Sequence, residues 1–400
     1  MKKIYLSAPG LVCCAGKNRD ELYESCLNGY QGGLVMHELP GHGGEYPVGF
    51  IGEELPAAVF SEPSKYAGDT RIIRVINAAL EQLRPAVEKA VSKYGPEKIG
   101  VCYGSGDSGS EASLLAHRAL FQNNAFPEDY SLRFQGTFSV EFISRKFGLS
   151  GPAFSVATAC ASGASAMVRG AELIQAGHCG AVIAGGADIV SQTVFAGFHA
   201  LEAISSSLTN PFSKNRKGIN LGEGAAFFLL DSEEISGVEL LGAGESADAH
   251  HMTAPGPDGA GPARAMRAAL KNAGITGGQV GYVNLHGTGT PLNDKTESLA
   301  MQTVFGAAYP PSPRVSSTKP ITGHTLGAAG ALEAAICWMA LTEQRGLPVH
   351  CWDGVRDEEI PFSPVDLSAN DGSAKETPAI CMSNSFGFGG CNVSLILGRA

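Results

Sequence analysis

The sequence predicts an α/β fold with much parallel sheet, made of two pseudo-repeated halves. Short apolar runs that end in glycine-rich loops, as buried strands do, alternate with longer segments of helical spacing. Two small-residue segments, CASGASAMVRGAELI from Cys160 and HTLGAAGALEAAICW from His324, also resemble each other. Alternating strands and helices favour a parallel sheet, and the paired segments predict a helix from each half meeting at the centre. The alternative is that Ala-rich helices look alike by composition.

The individual elements follow in chain order. The strand-like runs are KIYLSA (3–8), KIGVCYGSG (98–106), GAVIAGGADIV (180–190) and VGYVNLHGTGT (280–290). Helical spacing marks RIIRVINAALEQLRPAVEKAV (71–91), ARAMRAALKNAG (263–274) and GAAGALEAAICWMALTEQ (327–344). A charge cluster in LLDSEEISGVEL separates two apolar runs, and we therefore expect an N-terminal half over 1–236 and a C-terminal half over 237–400.

Composition and charge exclude several classes of protein. A net charge of −10 gives no basic nucleic-acid footprint, and no apolar run is long enough for a membrane span. The scattered cysteines lack CxxC or metal-ligand spacing, which predicts free thiols in the cytoplasm and no metal site. The low content of charged residues favours a large apolar interface between subunits.

Lys65, Arg71 and Arg74 could dock an acidic partner, or could equally lie on a solvated helix face.

Cys160 is the candidate nucleophile. At the start of a helix, its sulfur would lie near unpaired N–H groups and the positive end of the dipole. That position favours the thiolate and lowers the thiol pKa, and the small residues that follow would let a thioester approach closely. The alternative is a buried structural cysteine, which is the common fate of a free thiol.

The segment NLHGTGTPLND places His286 at a strand end, where its side chain can project into a site. Thr288 and Thr290 offer hydroxyls that can hydrogen-bond an extended, amide-bearing ligand. The alternative is a turn in which these side chains bond only locally.

The segment SSTKPITGHTLGAAGALEAA adds a lysine, a second histidine and a glutamate. Lys319 can hold a negative group or keep a neighbouring histidine neutral, and His324 leads into the second small-residue helix. Glu333 lies on a helix nearly free of other charges, where a carboxylate must be paired, hydrated or used. An ion pair with Lys319 or an arginine and a supporting role in an active site are equal alternatives.

The loop SNSFGFGGCN surrounds Phe386 and Phe388 with small residues. Glycines give such a loop freedom and the rings give it apolar bulk, which a mobile gate beside an apolar channel needs. Its backbone N–H groups can also form an oxyanion hole. The alternative is a tight turn between two core strands.

Together these motifs resemble a known family. TACASGASA, HGTGTPLND, KPITGHTLGAAGALE and NSFGFGGCN, in this order, are similar to motifs of the β-ketoacyl-acyl-carrier-protein synthases of types I and II, in the thiolase-like superfamily. The resemblance implies a five-layered αβαβα fold and a homodimer or a heterodimer with a related synthase subunit. It also implies that an acyl carrier protein delivers acyl and malonyl groups as phosphopantetheine thioesters.

The reaction that the resemblance implies is a decarboxylating Claisen condensation, which needs no cofactor. Cys160 would accept the acyl chain, while His286 and His324 would promote loss of CO2 from malonyl and stabilise the enolate. The resemblance also implies that Lys319 supports the His324 side of the site and that Glu333 has a supporting role. The backbone N–H groups of Cys160 and Phe388 would form the oxyanion hole, and Phe388, next to Phe386, would act as the gate. Thr288 and Thr290 would bind the phosphopantetheine arm.

Three positions depart from the family's pattern. Asp107, in YGSGDSGS, stands where an apolar residue near the floor of the acyl pocket is usual, which argues against a plain long saturated chain. Lys217 replaces a usual aspartate, and Cys391 replaces a common threonine, so that a second thiol would lie near the site. The segments KIYLSAPGLVCCAGKNRDELYESC and RIIRVINAALEQL look more like synthases of aryl-polyene pigment clusters.

Two other functions compete with this interpretation. A thiolase uses a second cysteine for proton transfer, and Cys391 would suit that role, but two histidines and the GFGGCN context favour a synthase. A non-catalytic subunit of the chain-length-factor kind would keep the fold and lose the nucleophile, whereas this chain retains Cys160.

Overall fold

The computed structural model describes residues 2–39, 43–52, 55–58, 69–107, 109–127, 130, 137–306, 313–361 and 377–400. The strands in these ranges are β1 (Tyr5–Leu6), β2 (Gly10–Cys13), β3 (Val35–Glu38), β4 (Glu45–Val48), β5 (Ile99–Gly104), β6 (Ala153–Val156), β7 (Ala181–Asp188), β8 (Gly224–Asp231), β9 (Val238–Ala247), β10 (Tyr282–Asn284), β11 (Arg314–Ser316), β12 (Ile380–Gly387) and β13 (Cys391–Arg399). The helices are α1 (Arg19–Asn28), α2 (Arg71–Tyr94), α3 (Ser110–Asn123), α4 (Thr137–Lys146), α5 (Ser162–Gln175), α6 (Gln192–Ala200), α7 (Ala260–Ala273), α8 (Pro291–Phe305), α9 (Lys319–Thr322) and α10 (Ala329–Thr342).

Each strand and helix segment predicted from periodicity is present in the structure. No helix among the described residues is both long enough and apolar enough to span a bilayer.

Two groups of five strands repeat the same topology. Among the described residues, the first group has the order β6-β5-β7-β8-β2 and the second the order β11-β10-β12-β13-β9. In both groups the first three strands are parallel and the last two pair antiparallel. The short strand β1 pairs with both β8 and β9 and joins the groups. The halves are therefore structural repeats, as predicted.

The helices complete five layers. Helices α5 and α10 pack against each other and against strands of both groups, which places them in the middle layer. Helix α2 covers the outer face of the first group, and α7 packs on β9 and β13 at the outer face of the second. A central apolar core includes both middle helices, and two separate outer cores lie under the covering helices. This is the αβαβα arrangement that the resemblance implied.

The middle helices cross at small residues. A Cβ on Gly163 would lie 3.0 Å from the Cβ of Ala331, and a Cβ on Gly330 would lie 2.8 Å from the Cβ of Ala164. The two contacts mirror each other, so Gly163 and Gly330 occupy equivalent positions in the repeat. Such a close crossing needs residues without a side chain, because any added carbon meets the opposite helix.

The start of each middle helix corrects the predicted register of the repeat. Each helix follows a one-turn 3₁₀ segment whose first residue has a positive φ, 50° at Ala159 and 53° at Leu326. Cys160 is therefore equivalent to Gly327 and not to His324, with which the sequence comparison paired it. That pairing was wrong because Ala- and Gly-rich segments match almost equally well in neighbouring registers.

Candidate active site

Cys160 lies in the 3₁₀ turn immediately before α5, so the prediction that it begins a helix is confirmed. Its thiol is buried. Burial raises the pKa of Cys160 to about 11, although the Lys319 ammonium and the Phe388 backbone N–H lower it. The prediction of a lowered pKa was wrong, because removal from water outweighs the favourable charges. The thiol of Cys160 is therefore protonated at rest.

His324 lies next to Cys160. Its Nε2 is 3.1 Å from Sγ of Cys160, and its Nδ1 accepts a hydrogen bond from the backbone N–H of Leu326 at 3.2 Å. A neutral imidazole whose Nδ1 accepts must carry its proton on Nε2. Burial, followed by the charge of Lys319, holds the pKa of His324 well below its usual range. His324 therefore presents an N–H donor beside the sulfur.

His286 follows β10 and meets His324 edge to face, with ring centroids 5.5 Å apart. The Lys319 Nζ lies 3.4 Å from its Nδ1 and 2.5 Å from its carbonyl oxygen. Burial, then Lys319 and His324, hold the pKa of His286 well below its usual range. Because the ammonium faces Nδ1, the ring proton belongs on Nε2. Lys319 contacts the His286 side of the site, whereas the resemblance implied the His324 side.

Lys319 also forms a buried ion pair with Glu333 on α10, as one of the sequence alternatives predicted. Burial raises the pKa of Glu333 to about 7, and Lys319 opposes that rise. The second carboxylate oxygen, Oε2, has no hydrogen-bond partner in the described part of the chain. Glu333 thus balances the charge that holds His286.

The sulfur of Cys160 and the ring nitrogens of His286 and His324 lie within 4.8 Å of one another. Thiol and imidazole donors at this spacing can bind a metal ion. The Lys319 ammonium next to His286 opposes a cation there, and the proton on Nε2 of His324 occupies the nitrogen that faces the sulfur. The cluster is better suited to acyl chemistry than to metal binding.

Comparisons with known proteins identify the family of this site. The model of the β-ketoacyl synthase N-terminal domain matches residues 58–235, and that of the C-terminal domain matches residues 238–350. The chain belongs to the β-ketoacyl synthase family.

Individual synthases are similar over much or all of the chain. A 3-oxoacyl-acyl-carrier-protein synthase 2 of Vibrio cholerae is 38% identical over 77% of this chain and 78% of its own length. A synthase of the same name from Staphylococcus aureus is 31% identical over 99% of this chain and 98% of its own. A ketosynthase from Xenorhabdus doucetiae, solved in complex with its chain length factor, is 37% identical with a TM-score of 0.85, covering 100% of this chain and 98% of its own.

The synthase has a cavity of about 360 Å³ beside Cys160 and the two histidines. Its wall includes Cys160, both histidines, Thr288, Thr290, Phe386 and Phe388. The hydroxyl oxygens of Thr288 and Thr290 lie 2.9 Å apart. The half-buried Phe388 ring packs on Phe198 with centroids 5.4 Å apart. The structure thus brings Cys160, the two histidines, the threonines and the two phenylalanines to one cavity, whereas Lys319 contacts His286 and is absent from that wall.

Two carboxylates that sequence reasoning missed hold the HGTGT loop. Glu297 accepts the backbone N–H groups of His286 at 2.8 Å and Gly287 at 2.7 Å. Asp294 accepts the N–H of Gly289 at 3.2 Å. Burial raises the pKa of Glu297 to about 8, while its two N–H donors lower it. A signal was available, because two acids three positions apart on α8 directly after the loop are placed to bind its backbone.

A third histidine also supports His286. Nδ1 of the buried His350 accepts the N–H of Ser317 at 3.1 Å, and its Nε2 donates to the carbonyl oxygen of Pro211 at 3.2 Å. The Ser317 hydroxyl then donates to the carbonyl oxygen of Gly287 at 2.7 Å. The sequence held no sign of this chain of bonds, since His350 lies in the unremarkable segment LPVHCW.

The buried Asp188, also missed, ties the two halves together. Its carboxylate accepts the Ser105 hydroxyl at 2.6 Å and the N–H groups of Gly106 at 2.7 Å and Asp107 at 3.0 Å. It also accepts the N–H of Gly327 at 2.5 Å, in the turn before α10. Burial raises the pKa of Asp188 to about 7 against these donors. Asp188 therefore fixes the turn before α10 against the loop that follows β5.

The three departures from the family's pattern lie around the site in different ways. Asp107 lines another cavity, which does not include Cys160 in its wall. Lys217 is exposed beside Gly218, which lines the catalytic cavity. Cys391 is half-buried and absent from that cavity's wall, although its neighbour Asn392 belongs to it. Its strand partner Gly387 also lines the cavity, so Cys391 lies near the site while its thiol is not part of the cavity wall.

The predicted basic group is only partly described, because Lys65 lies outside the described residues. Arg71 forms an ion pair at 2.5 Å with the buried Glu223, and Arg74 pairs with Asp69. Both arginines are thus already engaged within the chain.

Proposed function

We propose that this synthase joins an acyl chain held on Cys160 to malonyl-acyl-carrier protein, with loss of CO2, to give β-ketoacyl-acyl-carrier protein. The reaction would serve fatty-acid or polyene and polyketide chain elongation. The observation that carries the proposal is a thiol 3.1 Å from the Nε2 of one buried neutral imidazole and beside a second. Membership of the β-ketoacyl synthase family supports it.

In the first step, Sγ of Cys160 attacks the carbonyl carbon of the acyl thioester. The phosphopantetheine sulfur leaves as the new thioester forms, and the proton of the Cys160 thiol goes to it. The exchange neither releases a proton to solvent nor takes one up, which suits a thiol that ionises poorly. We assign the oxyanion hole to the N–H groups of Cys160 and Phe388; close packing of Gly387 on the Cys160 nitrogen supports this.

In the second step, the bond between the malonyl carboxylate and its α-carbon breaks, CO2 leaves, and the electron pair forms an enolate. His286 and His324 donate their Nε2 protons as hydrogen bonds to the enolate oxygen. Because both rings are neutral, they stabilise that charge without readily quenching it by proton transfer. The α-carbon then attacks the acyl carbonyl, the bond to Sγ breaks, and the thiol regains a proton from water.

Intact-mass spectrometry with an acyl-carrier thioester tests the nucleophile. We expect an acyl adduct on the wild type and none on Cys160→Ala. Adding malonyl-carrier protein should then remove the adduct and release CO2. Condensation that instead needs acetyl thioester and releases no CO2 would favour the thiolase alternative, and a folded chain without any adduct would favour the non-catalytic subunit.

The proposal extends to partners and pathway. We assign the acyl carrier protein as substrate carrier, with Thr288 and Thr290 on its phosphopantetheine arm and Phe388 as the gate. We further propose that the chain forms a homodimer or pairs with a chain-length-factor subunit. The 37% identity to a ketosynthase solved with its chain length factor supports the pairing. We also propose that the pathway is elongation of the aryl-polyene type. The scattered free cysteines support a cytoplasmic location.

We also propose that the halves divide at 1–236 and 237–400. The first would supply the nucleophile, and the second would supply the two histidines, the lysine and the gate. The gap between β8 and β9 supports this boundary, because it lies between the last strand of one group and the first of the other.

A further inference from the structure

The turn at which each middle helix begins is repeated in the two halves of the chain. In each turn a residue other than glycine has a positive φ, Ala159 in the first half and Leu326 in the second. The next residues are Cys160 and Gly327, which the register of the repeat makes equivalent. Their backbone N–H groups belong to the first turn of a helix, where no carbonyl of that helix accepts them. Such a turn is suited to binding an anion.

The strand that ends against each turn comes from the other half. Strands β7 and β12 have the same length and the same place in their groups, so their last residues, Asp188 and Gly387, are equivalent. The carboxylate of Asp188 accepts the N–H of Gly327 at 2.5 Å. A Cβ on Gly387 would lie 3.1 Å from the backbone nitrogen of Cys160. The same position thus lies against the same backbone nitrogen in both halves, with a carboxylate in one half and no side chain in the other.

Packing two residues earlier on the same strands supports this register. A Cβ on Gly186 of β7 would lie 3.2 Å from Cα of Gly163. A Cβ on Gly330 would lie 2.7 Å from Oγ of Ser385 on β12. Because Gly163 and Gly330 are equivalent residues of the middle helices, both strands meet those helices in the same way.

The carboxylate of Asp188 is an anion that the chain itself supplies to the second turn. Within the described residues it accepts four hydrogen bonds, three from backbone N–H groups and one from the hydroxyl of Ser105. A carboxylate has about four acceptor positions, so these bonds use its full capacity. The side chain is also buried. A buried carboxylate that is fully paired holds its donors in place and does not bind a ligand.

The donor from Gly327 connects Asp188 with a histidine of the site. The N–H of Leu326 donates to Nδ1 of His324, and the positive φ of Leu326 lies between this bond and the bond from Gly327 to Asp188. A bulky residue in the left-handed region is strained and keeps that conformation only where its surroundings hold it. A Cβ on Gly327 would lie 2.6 Å from Oδ2 of Asp188, so the carboxylate is seated directly on the turn.

We propose that Asp188 is a built-in anion in the second-half counterpart of the oxyanion hole, and that it is a positioning residue for His324. Gly387 has no side chain, and this leaves the turn at Cys160 open to the oxyanion of the substrate. The inference rests on the proposed function and adds a residue that acts without touching the substrate. Without the carboxylate, the N–H of Leu326 is no longer held on Nδ1 of His324. The ring then offers a weaker Nε2 donor to the enolate.

The test is Asp188→Gly, which places at this position the residue that the other half has. Adduct formation on Cys160 and release of CO2 from malonyl-carrier protein are measured on the same samples of the full chain. We expect CO2 release to slow at least about tenfold, because a shift of about 1 Å in a reacting group costs up to about 100-fold. Adduct formation should fall less, so the ratio of the two rates should fall.

The matched control is Asp231→Gly. Asp231 is also a buried aspartate at the end of a first-half strand, and it accepts hydrogen bonds from the hydroxyl of Tyr94 at 2.7 Å and the N–H of Glu233 at 2.9 Å. Its loss removes a buried carboxylate with its donors but leaves the turns before the middle helices untouched. The ratio of CO2 release to adduct formation should therefore equal that of the wild type.

Small carboxylates distinguish a positioning anion from a general loss of structure. Formate should raise CO2 release by Asp188→Gly several-fold, because its carboxylate can occupy the space that the side chain left. Formamide, which is similar in shape but neutral, should not, and formate should not raise the rate of the wild type. Equal restoration by formate and formamide, or a wild-type ratio of the two rates in Asp188→Gly, would overturn the inference while leaving the proposed function intact.

Asp188→Asn provides a second variant if the glycine change prevents folding. Its NH2 group would face an N–H that the carboxylate accepted, so the ratio should fall here too. The ring-nitrogen chemical shifts of labelled histidine, assigned to His324 by comparison with His324→Ala, should move away from those of an Nε2-protonated ring. An unchanged ratio with unchanged shifts would overturn the inference. A wild type that forms no adduct and releases no CO2 would overturn the proposed function, and this inference with it.

Discussion

At the scale of single residues, the site combines a thiol that ionises poorly with two imidazoles that protonate poorly. Burial is the largest cause of the pKa shift in all three cases. A proton therefore stays on the sulfur at rest, and the rings stay neutral donors. This division suits the cycle that we propose, in which the cysteine serves acyl transfer and the histidines stabilise the enolate.

Loss of either imidazole ring should affect decarboxylation of malonyl more than acyl transfer to Cys160. We expect His286→Ala and His324→Ala to slow CO2 release by about 10²- to 10³-fold, because each removes a donor aimed at developing charge. Acyl adduct formation should fall less. Adduct mass and released CO2 are measured on the same samples, with the exposed His178→Ala as control. Parallel loss of both half-reactions in the two variants would contradict these roles.

His350 should make the stability of the fold depend on pH. Burial lowers the pKa of His350 from 6.5 to about 4, with the bond to Pro211 opposing the shift. The unfolded chain therefore binds the proton more readily, so the contribution is fully present above pH 6.5 and is lost as pH falls toward 4. At about 1.4 kcal/mol per pKa unit, the loss approaches about 3 kcal/mol.

Urea unfolding of the wild type and His350→Gln between pH 7 and pH 4.5 measures this contribution. We expect the difference in unfolding free energy between the two proteins to shrink as the pH falls, because glutamine does not titrate. His178→Gln is the control for a histidine change at an exposed position. A difference that stays constant with pH would refute the assignment.

The predictability of the site is uneven for physical reasons. Cys160, His286 and His324 could be found because each heads or ends a glycine-rich loop in the sequence. The direction of the pKa shift of the Cys160 thiol could not be predicted, since it depends on how much protein covers the sulfur. Glu297 could have been inferred from its spacing after the loop, but the link through Ser317 to His350 exists only after folding.

At the scale of elements, the crossing of α5 and α10 determines how close the two halves approach. Periodicity predicted both helices, because their small residues run over several turns. It did not predict which residues touch, and the pairing of Cys160 with His324 failed for that reason. Register between repeats depends on the turns before the helices, where Ala159 and Leu326 adopt positive φ.

Gly163→Ala should test this crossing. The new Cβ would lie 2.8 Å from the carbonyl oxygen of Gly327, and backbone cannot move aside cheaply. We expect a loss of about 1–3 kcal/mol in stability, as for other overpacked interiors. Gly170→Ala on the same helix is the control, because its Cβ would meet only side-chain methyl groups at 3.1 Å or more. Equal melting temperatures for the two variants would argue against a tight crossing.

At the scale of the whole molecule, some large apolar side chains remain uncovered on α3 and the turn after it. Leu115 is 53% exposed, Phe121 87% and Phe126 43%. Exposed apolar groups of this size mark surfaces that another subunit covers. The low content of charged residues in the sequence, 17%, pointed to such an interface but not to its position.

Phe121→Glu should therefore weaken subunit association while leaving the fold intact, because the ring packs little within its own chain. Size-exclusion chromatography with light scattering is the measurement, and a shift toward the mass of a single chain is expected. Val35→Glu, at another exposed apolar position, on β3, is the control. Unchanged mass for Phe121→Glu would place the interface elsewhere.

The contact between the two middle helices also constrains how this chain can evolve. Gly163 faces Ala331, and Gly330 faces Ala164, so a larger residue on either helix meets the opposite half of the sequence. At Gly163 the nearest obstacle is the backbone oxygen of Gly327, which no change of side chain on the other helix removes. We therefore expect far fewer single substitutions to be accepted in the middle layer than at exposed positions of the outer layers.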